Sequence, residues 1–251
     1  MRTRSFLRGF GLLLGIAAPL IASAPAAAIT LPSGLDVNWT VNGSTAPFGT
    51  ATNTCAPGSG GPDVTQCVGN YTWSGATFTW DVSSDPDPFV NAVFGFTNNT
   101  AFVQTYVLTT TLPIAPPIPG GTLMGGSSQI TINDSNGNGV ATVASVGAGS
   151  SYTAQIDGVD VATLHGPAFS LSAPGAFLGN TANASFGLPG PSAPGPAALV
   201  SIGIRHHITL TPGDSVTLNS NFVVVVPEPV TGALLGLGVA GLAAFGSRRR
   251  A

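Results

Sequence analysis

Asp134-Ser135-Asn136-Gly137-Asn138-Gly139 is the hexapeptide of this chain whose residue types and spacing come nearest to a cation site. Side-chain oxygens at positions one, three and five, from Asp134, Asn136 and Asn138, with glycine at position six, match the opening of a Ca2+ loop. There the glycine permits a tight turn and the three oxygens converge on one hard ion. The bidentate acid that completes such a loop is missing, because position twelve is Ser145. With one charged ligand in three, Ca2+ would be held weakly, on the order of millimolar as in extracellular modules. The same residues compose an Asn/Gly-rich turn between strands, and the incomplete pattern favours the turn.

Other chemistry is fainter. Asp85-Pro86-Asp87-Pro88 sets two carboxylates on one stiff loop, and paired carboxylates can serve glycoside hydrolysis, although adjacent loop acids are usually solvated turn formers. Asp157 and Asp160 flank a tight turn and read the same way. The histidines are His165, His206 and His207. The last two are neighbours on a predicted strand and must point to opposite faces, so they form no joint site. A Ser-His-Asp triad stays open in a chain so rich in serine and aspartate, but no Gly-x-Ser-x-Gly marks a nucleophile and no His-Glu-x-x-His marks zinc. The sequence therefore predicts a body without catalysis. Cys55 and Cys67 are its two cysteines. In an exported chain they are expected to form a disulfide around the Pro/Gly-rich segment between them.

The elements that must position these groups read as β. Leu35, Val37, Trp39 and Val41 alternate with polar neighbours, and similar runs punctuated by Gly, Pro and Asn recur along the chain. Ser74-Gly75 and Asp157-Gly158 are two-residue hairpin turns by composition. Thr97-Asn98-Asn99-Thr100 is expected to join a hairpin of Phe89–Phe96 with Ala101–Leu112. Thr211-Pro212-Gly213-Asp214, a type II turn by its Pro and Gly, is expected to join a final long hairpin. Arg205 is expected to pair with an Asp across that hairpin. Trp39, Trp73, Trp80 and Tyr71 either stack on sugars from an exposed face or fill the core, and core is favoured for at least two of the tryptophans. The fold class that follows is all-β: one antiparallel β-sandwich, jelly-roll-like, over residues 29–226.

Charge narrows the partners. Charged residues make up 7% of the chain, against a usual quarter. Between the two ends there is no lysine, and the single Arg205 stands against nine aspartates, a net of −8. Such a body offers no basic patch for phosphates, which argues against nucleic acid and anionic lipid. Its polarity comes from Ser, Thr, Asn and Gly, a neutral hydrogen-bonding surface suited to glycans or other uncharged polymers.

The two ends are addresses. Arg2, Arg4 and Arg8, the apolar run Gly9–Ile21 and the small residues Ala26-Ala27-Ala28 make residues 1–28 a secretory signal peptide, cut after Ala28 by signal peptidase once the Sec translocon has engaged it. At the other end Pro227-Glu228-Pro229 is followed by residues 230–247, which carry no charge, and then by Arg248, Arg249 and Arg250. Eighteen residues make a helix of roughly 27 Å, about one bilayer, and the arginines hold its end in the cytoplasm. The prolines keep the preceding motif extended.

Residues 227–251 thereby resemble the PEP-CTERM sorting domain of exported bacterial proteins. The resemblance rests on Pro227-Glu228-Pro229, the span 230–247 and Arg248–Arg250, in that order. It implies recognition by a membrane-embedded exosortase that cuts near the motif, passage through an inner-membrane intermediate, and delivery to the cell surface or beyond, in bacteria that make extracellular polysaccharide. The expected role is that of a structural or adhesive protein of the envelope or extracellular matrix. The alternatives are a carbohydrate-binding module on the exopolysaccharide and, less favoured, a secreted hydrolase. No cofactor is expected other than the incomplete Ca2+ loop.

Overall fold

The computed structural model describes residues 29–31, 34–47, 51–59, 61, 63–85 and 88–227. Residues 1–28, expected to be a signal peptide, and Glu228, Pro229, the apolar span 230–247 and Arg248–Arg250 lie outside the described residues. Among the described residues no helix is long and apolar enough to cross a membrane.

Alternation of apolar and polar residues is converted into strands almost everywhere. In chain order they are β1 (Ile29–Thr30), β2 (Asp36–Val41), β3 (Ser44–Thr45), β4 (Thr52–Pro57), β5 (Thr65–Trp73), β6 (Ala76–Asp85), β7 (Phe89–Asn98), β8 (Gln104–Pro113) and β9 (Thr122–Asn133). There follow β10 (Thr142–Ser145), β11 (Tyr152–Ile156), β12 (Val159–Leu164), β13 (Ser170–Ser172), β14 (Gly179–Phe186), β15 (Ala193–Gly195), β16 (Ser201–Leu210) and β17 (Ser215–Val225). They form two sheets. The first runs β1-β2-β8-β16-β10-β13, with β11 beside β16, β12 beside β11, and β3 beside β2. The second runs β14-β9-β17-β7-β6-β5-β4, with β15 on β9. All the pairings are antiparallel. The result is an unclosed two-layer sandwich, jelly-roll-like.

The core lies where the inward halves of both alternations meet. Trp39 of the first sheet stacks on Phe78 (4.8 Å between ring centroids) and Phe96 (5.7 Å) of the second, and Phe96 meets Tyr106 at 4.8 Å. Such pairs add to the area they remove from water. Trp39 and Trp80 are fully enclosed, while Trp73 and Tyr71 are half-buried against the same cluster. Gly69 is opposite Trp80, and the indole fills the space a Cβ at position 69 would need.

The two hairpin turns are as the sequence predicts. Ser74 and Gly75 have φ of 52° and 72°, and Asp157 and Gly158 have 51° and 77°. Positive φ at both central positions is the I′ turn that matches strand twist.

Two expected hairpins are corrected. β7 and β8 belong to different sheets, as do β16 and β17. The turn at Thr211-Pro212-Gly213-Asp214 has the expected positive φ at Gly213 (75°), but it carries the chain across the sandwich. Buried Asn98 locks both crossings together. Its Nδ2 donates to the carbonyls of Phe102 (2.7 Å) and Leu210 (3.0 Å), and its own carbonyl accepts the Gly213 N–H (2.8 Å). Four-residue corners can reverse a chain within one layer or between two, and the burial of Asn98 selects the second. β9, which none of the turns and alternations named from the sequence marks, lies beside β17 in the middle of its sheet.

Candidate functional site

The outward half of the second sheet is made mostly of uncharged polar residues, with Asp81, Val93, Val68 and Gly95 among them. Register places them in rows across the strands. One row runs Asn183, Gln129, Asn219, Val93, Asp81, Val68, Thr54, from β14 to β4. The next runs Ser185, Ser127, Asn221, Asn91, Ser83, Gln66, and the one on the other side Thr181, Thr131, Thr217, Gly95, Thr79, Asn70, Thr52. Inward neighbours on the same strands are Ile130, Ile132, Leu218, Phe222, Phe94 and Phe78, all buried. The polar face is therefore the necessary complement of the core, by the period of two.

Over β14, β9 and β17 this face dips into an open depression of about 410 Å³ bordered by Ser127, Gln129, Asn183, Ser185, Asn219 and Asn221. Amide and hydroxyl side chains each donate and accept, so the rim can meet a ligand hydroxyl in either role. Neighbouring Thr131 and Thr181 hydroxyls already bond at 3.0 Å across strands, and Asn221 Oδ1 accepts the Ser127 N–H at 2.9 Å. Asp81, the charge in the middle of the face, accepts from Gln66 Nε2 at 2.7 Å. None of the three tryptophans stands on the outward positions of these strands.

The hexapeptide 134–139 forms a loop after β9. Asp134 is buried, and its two carboxylate oxygens accept the N–H groups of Gly137 (2.7 Å) and Gly139 (2.6 Å). Asn136 Oδ1 accepts from Asn138 N–H (2.9 Å), and Asn138 Oδ1 from Val140 N–H (2.7 Å). All three candidate Ca2+ ligands thus cap backbone donors, as in nested Asx turns, and a cation would have to displace them. Among the described residues no cluster of three His, Cys, Asp or Glu stands ready to hold a metal.

His206 and His207 face opposite sides of β16, as expected: His206 is buried and His207 partly exposed. His206 Nδ1 donates to the Ser151 carbonyl (3.1 Å), which leaves Nε2 to accept from the Ser220 hydroxyl (3.0 Å). Burial drives the His206 pKa down to about 4, with His165 pushing the same way against the Ser151 bond. This Ser-His pair is sealed between the sheets, and its second ring nitrogen faces a carbonyl where a triad would need a carboxylate.

Asp157 and Asp160 sit at the β11–β12 turn. Slight burial pulls the Asp157 carboxyl up, and the N–H groups of Ser201, Leu199 and Val200 outweigh it, holding the group below its usual range. Asp160 is also held low, by Gln155 first and then by Arg205. Arg205 bonds Asp160 at 2.8 Å, a half-exposed pair within the first sheet, so its partner lies on β12 and not across β16 and β17. Asp85 ends β6, and Asp87 lies outside the described residues.

Cys55 and Cys67 are bonded, directly opposite one another on β4 and β5, with Cα atoms 4.1 Å apart. The bond is consistent with an extracytoplasmic location. Of the residues expected to form a sorting motif, Pro227 alone is described; it follows β17 and is exposed.

No family model matches the chain, and no curated protein matches it. Among solved structures, the chain is similar to TmCBM61, described in complex with β-1,4-galactotriose. The two are 8% identical, with 72% of this chain and 90% of that chain covered, at a TM-score of 0.27. A likeness of that size carries no argument about fold detail or ligand.

The polar rows were missed at sequence level. Ser, Thr, Asn and Gln on alternate positions carry no motif; only the general excess of neutral polar residues pointed towards them.

Proposed function

We propose that this chain is an exported, non-catalytic protein of the cell envelope or extracellular matrix, whose sandwich holds an uncharged polysaccharide against the outer face of the second sheet. The observation that carries this reading is the uncharged Ser/Thr/Asn/Gln patch where the outward rows cross β14, β9 and β17, with its depression at Ser127, Gln129, Asn183, Ser185, Asn219 and Asn221. A sugar hydroxyl both donates and accepts, as do these groups, and the net negative body disfavours acidic polymers. Without an aromatic platform each contact is weak, so retention on a long polymer depends on repeated engagement. Delivery is assigned to the terminal segments: a signal peptide over 1–28, then an exosortase acting at Pro227-Glu228-Pro229 after an inner-membrane intermediate anchored by residues 230–247.

The test is co-sedimentation of the full chain with neutral and acidic exopolysaccharides. Binding confined to neutral polymers and lost in the Gln129→Ala/Asn219→Ala double variant is expected. Equal retention of that variant, or no binding to any neutral polymer, would overturn the reading. Delivery is read separately by terminal peptide mapping of protein from its native host. A species that keeps Arg248–Arg250 in the inner membrane would sink the sorting assignment.

A further inference from the structure

β4 closes one side of the second sheet, and among the described residues it pairs with β5 alone. Its backbone phase is fixed. The Gly58 N–H donates to the Val64 carbonyl at 2.7 Å and prolongs the ladder. Residues 52, 54, 56 and 58 therefore exchange hydrogen bonds with β5, and residues 53, 55 and 57 turn theirs outward. The Cα separation of 4.1 Å at Cys55 and Cys67 agrees, because the short spacing belongs to a pair that exchanges no backbone bonds. Pro57 agrees too: it occupies an outward position, where the missing N–H costs the ladder nothing. The N–H and C=O of Asn53 and of Cys55 are thus aimed away from the sheet.

Edge strands normally carry guards: a charge, a proline, a bulge, a covering element; here Pro57 removes one outward N–H at the end of the strand and leaves those of Asn53 and Cys55. The segment Thr52–Pro57 has no charged residue, its register with β5 is continuous, and its side chains are exposed but for a half-buried Cys55. The far edge is different, since β12 and β13 of the other sheet pack beside β14.

We propose that β4 is an interface for a second copy of this chain, added antiparallel about a two-fold axis at Thr54. Asn53 of each copy then exchanges both backbone bonds with Cys55 of the other, and the two Thr54 residues face each other as a non-hydrogen-bonded pair. Cross-strand threonine pairs are favourable. The choice of partner follows from charge. The body carries −8, yet this edge carries none, so two copies meet without opposing charges at the contact. Symmetry also continues the row Asn183, Gln129, Asn219, Val93, Asp81, Val68, Thr54 through the axis into the same row of the other copy, making one polar face of two. The disulfide at Cys55 holds the edge in order beforehand, which lowers the entropy lost on pairing.

The experiment is sedimentation velocity of the full chain in detergent, with two variants. Thr54→Lys sets two ammonium groups face to face on an exposed position. Asn53→Pro removes an outward N–H that β5 does not use, and with it the side-chain oxygen that accepts from Trp80 Nε1 at 3.3 Å, so Thr54→Lys, which leaves that contact in place, is read beside it. The wild-type chain is expected to sediment at twice the monomer mass, and both variants at the monomer mass with unchanged circular dichroism and an intact disulfide. A wild-type chain that stays monomeric at its highest soluble concentration overturns the proposal. So does a doubled mass that persists in either variant.

Discussion

His206 Nε2 lies 3.0 Å from the Ser220 hydroxyl, and both residues are buried between the two sheets. The distance is that of a nucleophile and its base, yet no substrate could reach it. The pair instead satisfies two polar groups in an apolar layer, with Ser151 supplying the carbonyl for the other ring nitrogen. Leaving either group unpaired there would cost on the order of 1–3 kcal/mol.

Acid should weaken the fold well before its carboxylates protonate. The unfolded chain protonates His206 near pH 6.5 and the folded chain near pH 4. Between these values the unfolded state binds more protons, so the contribution is whole above pH 6.5 and lost as pH falls through 4. It is on the order of 3 kcal/mol. His165 and His207 are also depressed and act in the same sense. Buried Asp214, whose carboxyl is raised, opposes them at the acid end. Urea unfolding at pH 7, 5.5 and 4.5 reads this directly; a flat profile would contradict the buried, neutral His206.

Asp134→Ala should destabilise by about 2–4 kcal/mol, because it strips acceptors from the N–H groups of Gly137 and Gly139. Asp134→Asn keeps one acceptor and should lose less. Added Ca2+ should leave the wild-type Tm unmoved, since the loop oxygens already hold N–H donors. A rise in Tm with Ca2+ that the Asp134→Asn change abolishes would restore the cation site.

Reduction of the Cys55–Cys67 bond, which closes a sequence separation of 12, should cost about 3 kcal/mol on the chain-entropy model. Because β4 is held by β5 alone among the described strands, the loss should be local at first. Hydrogen exchange should quicken at Thr52, Thr54 and Ala56 while β9 and β17 stay protected. Uniform exchange along all strands would show instead that β4 is integral to the global unfolding unit.

Much of this was legible in the sequence. Leu35, Val37, Trp39 and Val41 mark β2 by period alone, and Asp157-Gly158 marks its turn by its tolerance of positive φ. The two cysteines mark their bond. The layer to which a strand belongs was not legible, because Thr97–Thr100 and Thr211–Asp214 describe only a local reversal; the choice is made by Asn98 bonding to residues more than a hundred positions away. β9 hid for another reason. Its inward positions include Gly126 and Ser128, accommodated beneath Phe186 and beside Ser220, so its apolar alternation is interrupted where the candidate site lies. That site is built of neutral residues whose meaning lies in cross-strand register, which a linear pattern does not contain.

β17 is at once the last strand among the described residues and an interior strand of its sheet, bonded along its length to β9 on one side and β7 on the other. A chain held through residues beyond Pro227 while its sheet face grips a polymer would load β17 lengthwise. Both ladders would then have to shear together, with no strand free to peel away bond by bond. The described strand nearest the C-terminus is thus the one that should best withstand being pulled.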